Sequence, residues 1–148
     1  PQHMLKMTVF LSELSSLMSK YNESMRYALN GIKQAQELKD REAEARLLFC
    51  IGENNWRLSL KDKAYDYFGR AIELLRGSKE VREMMLLSYY YGAEMGFLMS
   101  DSRVKEALNL PMNAKSFLRN WRNYHKSPKG MWMVSIVICM QNWPISTM

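Results

Sequence analysis

The chain has 148 residues, 47% of them hydrophobic and 24% charged, with a net charge of +6; that is enough for one domain with a sizeable core, and too apolar for intrinsic disorder over most of its length. Its two cysteines, Cys50 and Cys139, exclude a disulfide framework and a cysteine metal cluster, and each lies in apolar sequence where a free thiol behaves as a small hydrophobe. Residues 1–106 carry 16 Lys+Arg against 15 Asp+Glu, whereas residues 107–148 carry Lys115, Arg119, Arg122, Lys126 and Lys129 and no acid, so a basic surface is expected only in the C-terminal part.

At the N-terminus, Pro1-Gln2-His3 precedes Met4 without a basic region, a long apolar run or a small-residue cleavage site. No signal peptide is expected, and a cytoplasmic location follows as the default. Proline is then absent until Pro111, a composition that suits helices and not hairpins. Breaks are predicted at Lys20-Tyr21-Asn22, Leu38-Lys39-Asp40, Leu60-Lys61-Asp62, Arg76-Gly77-Ser78 and Ser100-Asp101-Ser102, where Asn, Asp, Ser or Gly can cap or turn the chain. They divide the sequence into segments of about 15–20 residues, each long enough for a helix, and short turns between such segments give antiparallel helix pairs.

A shift of 40 residues aligns Tyr27 with Tyr67, Ile32 with Ile72, Lys39 with Lys79, Leu47 with Leu87, Gly52 with Gly92 and Leu58 with Leu98. The breaks coincide under the same shift, which is the pattern of a two-helix repeat. Within residues 45–77 the set Leu48, Ile51, Gly52, Ala64, Phe68 and Ala71 resembles the tetratricopeptide repeat, whose first helix carries Leu-Gly and whose second carries Ala, an aromatic and Ala. The match is partial elsewhere: residues 9–37 have Ser12, Ser24, Ala28 and Gly31 at the equivalent sites, and residues 85–110 have Val104 and Leu108. Asn55 stands where the first-helix tyrosine is usual, and Arg76 where the closing proline is usual. The spacing of 40 exceeds the usual 34, so the resemblance is to the extended repeats of bacterial regulators and sensors.

The fold expected is all-α, an α-solenoid of antiparallel helix pairs. A repeat domain is placed at 4–126, with repeats at about 5–38, 40–77 and 79–110 and a terminal helix at 112–126; an apolar segment follows at 127–148. Gly52 and Ala64 are assigned to a close helix crossing, and Phe68 and Ala71 to the space between one pair and the next.

At 100° per residue, Arg46, Phe49, Glu53, Trp56 and Arg57 share a side of their helix. By resemblance to the family, this is the concave, partner-facing set. Its equivalents are Leu86, Tyr89, Ala93, Gly96 and Phe97 in the next repeat, and Lys6, Val9, Glu13, Ser16 and Leu17 in the first. A groove lined by Phe49, Trp56, Tyr89 and Phe97, with Arg46 and Arg57 beside them, suits an extended peptide or a helix with apolar anchors and some acidic character. The competing reading packs these aromatics against the chain's own C-terminal helix.

Pro111 ends or kinks the last helix of the third pair, since an interior proline costs ~3 kcal/mol or more. In residues 113–126, Lys115, Arg119, Arg122 and Lys126 fall within an arc of about 60°, opposite Phe117, Leu118, Trp121 and Tyr124. Such a basic amphipathic helix caps a solenoid, contacts nucleic-acid phosphates or an anionic membrane, or meets an acidic protein. The apolar run at 131–140 is half the length needed to span a bilayer, where about 20 residues are required; it packs on the core or pairs between chains.

No phosphate-binding glycine loop, nucleophile elbow or metal-ligand pair at helical spacing is present in the sequence. The function expected is therefore a non-catalytic protein-interaction module without cofactor or metal, a scaffold or sensory part of a bacterial regulatory protein. The alternative is a nucleic-acid- or membrane-associating protein acting through the basic helix at 113–129.

Overall fold

The computed structural model of the chain describes residues 1–110. Among them the fold is all-α: 83% of residues are helical and there is no strand. Six helices follow in order, α1 (Gln2–Leu17), α2 (Tyr21–Glu37), α3 (Arg41–Arg57), α4 (Lys61–Leu75), α5 (Val81–Ser100) and α6 (Val104–Asn109). They fall into two compact units, one of Pro1–Glu83 and one beginning at Met84. The predicted breaks all coincide with turns, and α6 ends at Asn109, two residues before Pro111.

Four of the five turns share one construction. Ser19, Lys39, Ser59 and Ser102 adopt left-handed backbone, with φ of 61°, 54°, 63° and 59°. After each, the next amide reaches back to the carbonyl five residues earlier: Lys20 to Ser15 at 2.8 Å, Asp40 to Ala35 at 2.9 Å, Leu60 to Asn55 at 2.8 Å and Arg103 to Leu98 at 2.8 Å. This pairing closes a helix by satisfying its orphan carbonyls. The same residue then caps the next helix, so one helix stops and its neighbour starts within three residues. Only Asp40 adds a side-chain cap, accepting from the amide of Ala43 at 3.0 Å.

In the first unit this turn forces antiparallel neighbours. Ser12 of α1 meets Ser24 of α2, Asn54 of α3 meets the same Ser24, and Gly52 of α3 faces Phe68 of α4. α3 returns alongside α1 in the same direction, with Ser12 beside Cys50 and Ser16 beside Asn54. The core between α1, α2 and α3 is built from Leu5, Val9, Ala28, Ala35, Ala43, Leu47 and Ile51, with Met25, Ile32, Leu38 and Tyr67 packed against it.

Small residues mark the crossings. A Cβ on Gly52 would lie 2.6 Å from two ring carbons of Phe68 and 3.1 Å from the carbonyl oxygen of Ala64, so the close approach of α3 and α4 requires glycine there. A Cβ on Gly31 would lie 2.7 Å from Leu47 Cδ1, the end of a flexible side chain. Phe68, assigned from the sequence to the space between pairs, sets its ring against Gly52 and 4.6 Å from the Phe49 ring within its own pair. At the α1–α2 crossing two serines are paired face to face: Ser12 Oγ donates to the Ser24 carbonyl at 3.0 Å and Ser24 Oγ to the Ser12 carbonyl at 2.7 Å.

The second unit contains the rest of α5 and α6. Tyr90, Glu94 and Leu98 form the buried stripe of α5, spaced four residues apart as one helix face requires. Among the described residues no atom lies within 4 Å of a Cβ built on Gly92.

Candidate functional site

Helix α3 positions most of the residues singled out from the sequence, and the structure separates them. Phe49 is 3% exposed, its ring tilted on that of Phe68, so it belongs to the core and is corrected from partner-facing to packing. α3 is surrounded by α1, α2 and α4 and buries ten of its seventeen residues, more than a single inward face. Position on a helical wheel gives a side chain's direction, not how much of the circumference neighbours cover.

Arg46 is already engaged. Its Nε and a terminal nitrogen meet the two carboxylate oxygens of Glu13 at 2.9 and 2.7 Å, a bidentate pair joining α3 to α1. Glu53, one turn and three residues further on, is half-buried; burial pushes its carboxyl above the ordinary range, Glu13 adds to the rise and Arg57 opposes it. Trp56 is half-buried, with Lys61 Nζ 3.4 Å from its ring centroid, a cation over the aromatic face. Arg57 is exposed at the helix end, where its charge also complements the carboxyl end of the helix dipole.

Of the equivalent set on α1, Val9 is core and Ser16 donates to Asn54 Oδ1 at 2.6 Å, while Lys6 and Leu17 are exposed. In the second unit, Leu86, Ala93, Gly96 and Phe97 are half-buried and Tyr89 is 46% exposed, its ring 5.8 Å from that of Tyr90. Lys115, Arg119, Arg122 and Lys126, the basic helix at 113–129 and the apolar run at 131–140 lie outside the described residues.

What sequence reasoning missed is a buried polar cluster behind this surface. Ser12, Ser24, Cys50 and Asn54 are all buried where α1, α2 and α3 meet. Both serine hydroxyl hydrogens are spent on carbonyls, so the Cys50 thiol, 3.4 Å from each hydroxyl oxygen, is the donor toward them. Burial pushes that thiol's pKa up, and the hydrogen bonds it donates to the two serine oxygens also favour the protonated form, so the buried thiol is not a nucleophile. The one signal available in sequence was small polar residues, Ser12 and Ser24, standing at crossing positions.

Chemically, the outer face of α1 and α3 combines the Glu13–Arg46 pair, a carboxyl with raised proton affinity, an aromatic ring and an exposed guanidinium. Among the described residues no group of three or more His, Cys, Asp or Glu could hold a metal ion, and no helix is long and apolar enough to cross a membrane. Comparison of the chain with family models, with curated proteins and with solved structures found no match in any of the three.

Proposed function

We propose that the chain is a non-catalytic protein-interaction module of the tetratricopeptide-like type, working inside the cell as a scaffold or sensory part of a bacterial regulator. Two features of the first unit support the repeat reading. Helix pairs are closed by one recurring turn, and α3 returns parallel to α1. A third is the glycine crossing at Gly52 opposite Phe68, where the family resemblance is best.

The observation that carries the binding reading is Trp56. Its large ring is only half-buried, and with Glu53 and Arg57 it belongs to the side of α3 that bears the ion pair to Glu13. An aromatic flanked by both signs of charge is the composition of an interaction hot spot. Because Arg46 is already neutralised by Glu13, Arg57 is left as the exposed cation of the set, and the acidic preference expected of the partner rests on it. The ligand that fits is an extended peptide or helix offering one apolar anchor to Trp56 and a carboxylate to Arg57.

A displayed random-peptide library, selected on the full chain, is expected to enrich sequences with that pairing. Trp56→Ala should weaken the selected peptides by roughly thirty-fold, the cost of truncating a hot spot at about 2 kcal/mol, with helicity unchanged. Selected peptides that bind equally well to Trp56→Ala and Arg57→Ala would show the reading to be wrong.

A further inference from the structure

Helix α1 is apolar on two sides. Leu5 and Val9 face the core, but Met4, Met7, Phe10, Leu14 and Leu17 are 68%, 56%, 55%, 39% and 83% exposed, and Met18 at the helix end is 56% exposed. At 100° per residue these six fall, with half-buried Leu11, into one arc of about 140°. A contiguous exposed apolar patch of this kind marks an interaction surface. His3 is the one titratable side chain within the arc, near its end; Lys6 lies at its edge.

We propose that this face of α1 is covered by the α1 of a second copy of the chain, the two helices running antiparallel about a two-fold axis. The spacing favours self-pairing. Read from either end, the stripe runs large apolar residue, three residues, large apolar residue, so an antiparallel partner sets Met4 against Leu17, Met7 against Leu14 and Phe10 against Leu11. Such a patch meets itself across an isologous interface. No acidic side chain lies in the stripe and none is opposed by its like, and antiparallel packing places the positive end of each helix dipole beside the negative end of the other. The six side chains offer roughly 700 Å² per copy, close to the about 800 Å² per partner buried in a standard specific interface.

The register is what an experiment can read. The 148-residue chain should sediment as a dimer at micromolar concentration. Met7→Lys and Leu14→Glu, both at exposed positions, should each be monomeric with unchanged helical circular dichroism. An equimolar mixture of the two should recover a 1:1 dimer, since each introduced lysine then faces an introduced glutamate while the remaining Met7 and Leu14 still meet. If Met7→Lys loses helicity, Met7→Gln tests the same contact. A wild-type chain that stays monomeric to about 100 μM, a dimer that survives both substitutions and so pairs elsewhere, or variants that do not recover on mixing would each overturn the proposal. None of these outcomes depends on peptide capture at Trp56.

Discussion

Asn54 Nδ2 donates to Ser24 Oγ at 2.7 Å, although thirty residues separate them in sequence, and both side chains are fully buried. The bond is directional. Ser24 has already given its only hydroxyl hydrogen to the Ser12 carbonyl, so what faces it must be a donor. On the other side Asn54 Oδ1 must accept, because the Ser16 hydroxyl points at it. At neutral pH an amide is the one side chain of this size that supplies both. The cluster therefore fixes the amide's orientation as well as the register of α3 against α1 and α2.

Asn54→Asp keeps the shape and removes the donor. At neutral pH the introduced carboxylate is buried, faces a serine oxygen that has no hydrogen to give, and loses stability on both counts, by about 3–5 kcal/mol. Protonation restores a donor, so the introduced carboxyl has a folded-state pKa above its unfolded value. Stability is then retained below the unfolded pKa and lost as pH rises through the folded one. Chemical denaturation at pH 3.5 and 7 checks this: the deficit relative to the wild-type chain should shrink sharply at the lower pH, and an equal deficit at both would mean that packing, not the hydrogen bond, is what Asn54 provides.

Three glycines give three different answers to one substitution. Alanine at position 52 meets the fully buried Phe68 ring and the Ala64 carbonyl, neither of which can yield cheaply. Overpacking of about 1–3 kcal/mol exceeds the ~1 kcal/mol helix-propensity gain, so Gly52→Ala should destabilise. At position 31 the contacts are the ends of two side chains, Leu47 Cδ1 at 2.7 Å and Thr8 Cγ2 at 3.0 Å, which yield more cheaply than a ring and a backbone carbonyl, so the two effects should nearly cancel. Gly69 is exposed within α4 with nothing within 4 Å, so Gly69→Ala should raise stability by about 0.5–1 kcal/mol. Urea midpoints of the three variants should fall in the order 69, 31, 52 from most to least stable.

The helical class, the five breaks and the Gly52 crossing were legible because each depends on local chemistry: apolar spacing, polar or glycine turn residues, and one residue too small to be accidental. Exposure along α3 was legible only in part. Arg57 is exposed and Trp56 half-buried, as a helical wheel suggests, but Phe49 is buried, because coverage by α4 does not register in the wheel of a single helix. Arg46 with Glu13 and Asn54 with Ser16 and Ser24 bridge 33, 38 and 30 residues. Such pairs depend on the register between helices, which no local pattern encodes.

The recurring turns leave room for improvement that the fold has not used. Ser19, Lys39 and Ser59 hold left-handed backbone, a conformation that costs an L-residue with a side chain roughly 1 kcal/mol and glycine almost nothing. All three side chains are exposed. Replacing each with glycine should stabilise the first unit by about 0.5–1 kcal/mol per site, less the greater freedom glycine gains in the unfolded chain, and the effects should add because the sites lie in separate turns. Thermal melts of the single and triple variants check it; Ser→Ala at 19 and 59 should give no such gain.

Two glutamates among the described residues favour the native state at low pH. Burial raises the carboxyl of Glu53 on α3 and that of Glu94 on α5, each against a nearby arginine, Arg57 for the first and Arg103 for the second. A carboxyl whose folded pKa is raised binds its proton more tightly in the native state. It therefore costs nothing below the unfolded value, and its penalty grows as pH rises from that value through the folded one. Glu94→Gln removes the buried charge, keeps the shape, and should raise the melting temperature at pH 7 while making little difference at pH 3.5, where both chains carry a neutral group. Arg103 also binds Glu106 through two nitrogens at 2.8 and 2.5 Å, so loss of the Glu94 charge does not leave it without a carboxylate. Glu53→Gln should behave alike, since it removes a buried charge and the repulsion from Glu13 while Arg57 remains exposed to solvent. A Glu94→Gln variant that melts lower than wild type at pH 7 would mean that attraction to Arg103 outweighs the cost of burying the charge.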